Sequence, residues 1–192
     1  MRQYKYFDGN MSKGKKFSNV WNKKNSLFAF WIGNNDVKSI QYKNVTKKID
    51  EVTNDLFNII YKLYNNGARN IIIFKTIPTY KDPYASEKKY KNNNLKSNIL
   101  TFNNNLIEKS KLFFKKYSDI NLIIYNTIDT FEEIISNCTK YKFKDCIHGW
   151  IMDKNKTDTN FNDYFWINTH ISELANKYLV MDINYLLNSI NK

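Results

Sequence analysis

The chain has 192 residues, 42% hydrophobic and 16% aromatic, which allows one folded domain with its own core and excludes a disordered polypeptide. Its formal net charge is +12, yet the lysines are scattered without a compact basic stripe, and Lys, Asn, Ile, Tyr and Phe are all residues of A/T-rich codons; no nucleic-acid partner is expected. No apolar run approaches the roughly 20 residues of a membrane span, and the opening "MRQYKYFDGNMSKGKK" lacks an apolar core, so neither a membrane partner nor a signal peptide is expected.

Three apolar segments recur along the chain: "LFAFWI" (27–32), "IIIF" (71–74) and "INLIIY" (120–125). None alternates with polar residues, which predicts strands buried on both faces of a parallel sheet. Between the first two, Val45, Ile49, Val52, Leu56, Ile59, Ile60 and Leu63 step by three or four, a helical rhythm with Thr46 as the expected cap and Gly67 as the stop. Leu95, Ile99, Phe102, Leu106, Phe113 and Tyr117 repeat that rhythm, and a last helix follows Ser172 with Ala175, Leu179, Ile183, Leu186 and Ile190 on one face. The order β-α-β-α-β and then helices predicts an α/β layered fold with right-handed crossovers.

Two stretches read as irregular, 76–94 and 137–163. Both are long for connections, and long loops on such scaffolds often shape sites. The second holds the two cysteines, Cys138 and Cys146, spaced for a small disulfide loop and too few for a structural zinc site. "NMS", "NVT", "NCT" and "NKT" are glycosylation sequons, some of which arise by chance in so Asn-rich a chain.

Chemistry in an open parallel sheet sits beyond the carboxyl ends of the strands. The "GNND" block, Gly33 to Asp36, falls there directly after the first predicted strand. It is composed of ordinary turn formers, but Gly33 would permit a close backbone approach, and an Asn amide can donate to a developing oxyanion. His170, in "YFWINTHIS", stands just before the last predicted helix, where it can serve as a general base or as a simple polar cap. His148, in "CIHGW", reads as structural, without a carboxylate at a helpful spacing. No cofactor or metal is expected.

Taken together the blocks resemble a known family. "FWIGNND" looks like the Gly-x-Asn-Asp block of the SGNH, or GDSL, hydrolases, and "YFWINTHIS" looks like their C-terminal Asp-x-x-His-Pro-Thr block. "LYNNGARNIIIFKTIPTYKDP" and "FNNNLIEKSKLFFKKYSDINLIIYNTIDTFEEIISN" are similar to the segments between, in the same order. The resemblance runs from about residue 20 to near the end, and its flavour is that of the fungal acetylesterases of carbohydrate esterase family sixteen.

The resemblance implies a three-layer αβα sandwich with a parallel, flavodoxin-like sheet, and an enzyme that cleaves acetyl or short acyl esters of carbohydrates. His170 matches the catalytic base, Asn35 the oxyanion donor, and Asp36 a structural hydrogen-bonding Asp beside it. The chain departs from the family in two ways. No Gly-Asp-Ser block, the source of the nucleophile in relatives, stands among these residues, and Ser12 and Ser18 follow no apolar strand. The domain is therefore expected to be a single one, incomplete at its N-terminal side, with impaired catalysis and an exposed sheet edge open to association. At the C-terminal block Ile167 replaces the Asp and Ile171 the Pro, leaving Asn168 as a supporting residue for His170. Relatives are secreted, which the cysteine pair and sequons would suit. The alternative expectation is a non-catalytic carbohydrate-binding or remnant domain presenting Tyr80, Tyr84 and Trp166 to sugar.

Overall fold

The apolar runs become strands in the computed structural model, which describes residues 2–40, 44–85, 94–154 and 160–190. In chain order the elements are α1 (Arg2–Asn10), β1 (Phe28–Phe30), α2 (Asn34–Ser39), α3 (Val45–Asn65), β2 (Asn70–Phe74), α4 (Leu95–Lys116), β3 (Asn121–Tyr125), α5 (Thr127–Ser136), β4 (Asp145–Gly149), β5 (Tyr164–Trp166) and α6 (Glu173–Ile190). Parallel strands alternating with helices make this the expected α/β class. Two compact units divide the chain, one of residues 1–75 and 100–125, the other of residues 76–99 and 126–192.

The first unit holds a parallel sheet in the order β1-β2-β3, with Phe30 opposite Ile73 and Ile73 opposite Ile124. Only β2 is buried along nearly its whole length; β1 and β3 keep partly exposed residues, contrary to the expectation of strands buried on both faces. The cause is position, since each of the two forms a rim of this three-stranded sheet and pairs on one side. Helices α3 and α4 lie against each other through Phe57 and Phe113, with ring centroids 6.0 Å apart, and through a Lys109 Nζ to Asp50 contact of 2.7 Å. The residues before β1 are helical where no element was expected. Phe7 of α1 packs on Trp21 and Phe28, and Trp21 Nε1 donates to the carbonyl of Met11 at 2.7 Å.

The N-cap position of helix α3 is Asn44, in the left-handed region and with no side-chain capping hydrogen bond, not Thr46 as expected. It stops as expected at Gly67, whose φ of 107° lets its N–H reach the carbonyl of Tyr64 while Ala68 N–H reaches that of Leu63. Arg69, next in line, stacks on the Tyr64 ring at 4.1 Å and donates from Nε to Asp119 at 2.7 Å. Hydrogen bonds from Tyr64 and then from Arg69 hold the Asp119 carboxyl below its ordinary range.

The second unit is built on a parallel β4-β5 pair and the helices α5 and α6. Its core stacks Phe131 and Phe143 edge-on to Phe165, at 5.4 and 5.7 Å, with Ala175 and Leu179 of α6 also buried. The stretch 137–163, expected to be irregular, thus contains a strand. Cys138 and Cys146 are disulfide-bonded, tying the exit of α5 to β4. Of the loop 76–94, residues 86–93 lie outside the described residues, as does the Asn155 sequon. Among the described residues no helix is long and apolar enough to cross a membrane.

Candidate active site

The "GNND" block is the turn that ends β1 and starts a helix. Gly33 takes φ 103°, and Asn34, Asn35 and Asp36 form the first residues of α2. The left-handed backbone is one reason for glycine; the other is Phe102 of α4, whose Cζ would stand 2.3 Å from a β-carbon there. The close approach expected of Gly33 is thus made by a core ring of the chain itself. Asn35 and Asp36 are exposed, and Asp36 lines a cavity of about 910 Å³ that runs along β1 between α1 and α3. Asn35 belongs to the first unit and His170 to the second.

His170 sits on a tight reversal after β5. The Ile167 N–H donates to the His170 carbonyl at 2.8 Å, Trp166 bridges Ile171 in antiparallel fashion, and the Ser172 N–H returns to the carbonyl of Phe165 at 2.9 Å. Ser172 then accepts the Ala175 N–H at 3.3 Å and starts α6. Asn168 lies inside this reversal. Its Oδ1 accepts the backbone N–H of His170 at 2.8 Å and stands 2.9 Å from the ring Nδ1. A backbone N–H can only donate, so the amide oxygen is the atom facing the histidine, and an amide oxygen can only accept. Nδ1 therefore carries the ring proton and Nε2 the lone pair, which is the tautomer a general base needs. The amide orients the ring but brings no negative charge to it.

His148 corrects the sequence reading. Its Nδ1 stands 2.7 Å from Oδ2 of Asp145, a carboxylate three residues earlier, and the other carboxylate oxygen accepts the N–H groups of Ile147 and His148 at 2.7 and 2.8 Å. In a regular strand, residues three apart face opposite sides. Here the β4-β5 register shifts between Asp145 and Gly149, and the bent backbone brings the two together. Hydrogen bonding to Asp145, then its charge, raises the His148 pKa above its ordinary value. Burial works to raise the Asp145 pKa, but donation from the backbone and ring of His148 and from Ile147 outweighs it and lowers that carboxyl.

The Asp145–His148 pair lies in the wall of a cleft of about 750 Å³ within the second unit, which Tyr80, Lys81, Pro83 and Met152 also line. Tyr80 donates to Glu132 at 2.9 Å; burial, then that bond, pushes its phenol up to about 12. Gly149 joins this cleft to the His170 reversal. A β-carbon on Gly149 would meet Pro83 Cγ at 3.3 Å, the Ile167 carbonyl at 3.4 Å and Cα of Asn168 at 3.5 Å.

One other sequence expectation meets the structure differently. Trp166, assigned to a sugar-facing surface, is fully buried as a central core ring 4.9 Å from Phe165. Ser12 is buried and donates to Asp8 at 3.1 Å within the α1 region.

No protein-family model matches the chain. It is similar to a curated acetylesterase of Thermothelomyces thermophilus, 27% identical over 168 residues, which covers 84% of this chain and 54% of the relative. The chain spans about half the length of the curated relative it matches. The likeness is to an esterase. It is distant, and it supports an esterase relationship for most of the chain.

Proposed function

We propose that the chain is an ester hydrolase domain of the SGNH kind, descended from enzymes that remove acetyl or short acyl groups from carbohydrates. The observation that carries this reading is the His170 reversal, where Asn168 fixes the ring with Nε2 as the base nitrogen. The distant likeness to an acetylesterase supports it, and so does the turn that presents Asn35 at the end of β1. In this reading Asn35 donates to the oxyanion, His170 is the base, Gly33 and Asp36 shape the oxyanion turn, and Asn168 takes the orienting place that an Asp holds in relatives.

A serine in a Gly-Asp-Ser block does not occur in these residues. Acyl-enzyme chemistry is therefore impaired, and hydrolysis by this chain alone is slow. The test is acetate release from acetylated xylo-oligosaccharides by the purified chain, paired with labelling by a fluorophosphonate. We expect slow release above the buffer rate and no serine label. A chain that neither releases acetate nor binds the acetylated oligosaccharide at millimolar concentration would sink this reading.

A further inference from the structure

We propose that Asp145 and His148 form a second hydrolytic centre, in which His148 activates water directly against an acyl ester bound in the second unit's cleft, with no serine and no covalent intermediate. The inference rests on the esterase reading and locates the chain's own turnover.

Geometry carries it. Asp145 Oδ1 is held by two backbone N–H groups, which fixes the plane of the carboxylate. The second oxygen meets His148 Nδ1 at 2.7 Å, so the ring proton lies between them and Nε2 carries the lone pair. The side chain of His148 is 68% exposed while that of Asp145 is 24% exposed, an arrangement with a reachable base and a sheltered orienting group. His170 has only a neutral amide in the corresponding place. A carboxylate stabilises the imidazolium that forms when the base takes a proton, and a neutral amide does not. Of the two histidines, His148 has the carboxylate.

The step balances without a further reactant. Nε2 takes a proton from water as the water oxygen bonds to the acyl carbon, and the carbonyl electron pair moves onto oxygen. When the tetrahedral adduct collapses, the bond to the alcohol oxygen breaks and that oxygen takes the proton from Nε2. The products are a carboxylic acid and an alcohol, and His148 is again neutral. Lys81 and Lys154 line the same cleft beside Asp82 and Asp153, and Lys81 is paired with Glu132 at 3.3 Å. The charged and titratable groups that line the cleft with His148 are Asp145 on its own strand, Asp153 and Lys154 on the following turn, and Tyr80, Lys81 and Asp82 from the other segment of the unit. The substrate class is a small ester of a hydroxylated alcohol.

The experiment compares the full chain with His148→Ala, His148→Gln, Asp145→Asn and His170→Ala, each checked for a native thermal transition. The probe is a monoacetylated methyl xyloside, whose alkoxide must be protonated as it leaves, so that simple imidazole catalysis is negligible. We expect both His148 variants to lose about a hundredfold in kcat, and Asp145→Asn to move the rising limb of the pH–rate profile to lower pH while His170→Ala, which leaves the Asp145–His148 pair in place, does not move it. The proposal is overturned if His148→Ala and His148→Gln keep the parent rate, whatever His170→Ala does, an outcome that leaves the esterase reading standing. Absence of hydrolysis in the parent chain overturns this proposal, and the esterase reading falls with it only if the acetylated oligosaccharide is not bound either.

Discussion

A single amide separates the two histidines. Asn168 gives His170 its tautomer without charge, and Asp145 gives His148 both. Asn168→Asp supplies the missing charge, so in a His148→Ala background, where only His170 can act, it should raise kcat about tenfold or more with little change in KM. The Asp145–His148 pair also predicts a pH signature in stability. The Asp145 pKa is lowered on folding, so its contribution is present above its unfolded value and fades as pH falls through the folded one. The His148 pKa is raised, so its contribution is complete below about 6.5 and fades as pH rises through the folded value. The Tm difference between the parent and His148→Ala should therefore be widest near about pH 5–6.5 and shrink as pH rises above that range. Gly33 has a simpler role. Gly33→Ala adds a left-handed strain and a clash with Phe102, and thermal unfolding should show a loss of at least about 2 kcal/mol, partly recovered with Phe102→Leu.

At the scale of elements, the long periodic segments were legible and the short bent ones were not. The runs 71–74 and 120–125 announce β2 and β3 because continuous β-branched side chains have no comfortable surface position, and α3 follows from its unbroken rhythm between Val45 and Leu63. β4 was hidden because its burial alternates irregularly and its backbone shifts register, so no period of two or 3.6 appears in "DCIHG". The same irregularity hid the carboxylate of His148, since straight-strand geometry sends positions three apart to opposite faces. The one signal in the sequence was the Asp-x-x-His spacing itself, at 145–148. His170 drew attention in the sequence through its block, whereas its contact with Asn168 was only half legible, because the loop geometry decides which side chain reaches Nδ1. The disulfide makes a prediction at this scale. It closes a loop with a sequence separation of 8, and Cys138→Ser with Cys146→Ser, or reduction, should cost about 2–3 kcal/mol in urea unfolding.

At the scale of the whole molecule, the rim of the first unit's sheet matters most. β1 is short, pairs with β2 on one side, and is flanked by the exposed side chains of Leu27, Trp31 and Ile32. Unpaired strand edges beside apolar side chains invite another strand. We expect concentration-dependent association in sedimentation velocity, reduced by Ala29→Lys; a monomer at all concentrations up to about 100 μM, well above the nanomolar-to-micromolar range of specific contacts, would contradict it.

The two units are also interleaved along the chain, each assembled from two separate segments, and the cleft takes its walls from both segments of the second. Tyr80 to Pro83 and Asp145 to Lys154 are brought to one opening only after residues 100–125 have been laid down elsewhere. A gene fragment encoding 126–192 would carry both histidines yet lack one side of the opening. Excision is thus a poor route to an isolated second unit, and circular permutation, which preserves every segment, is the better one.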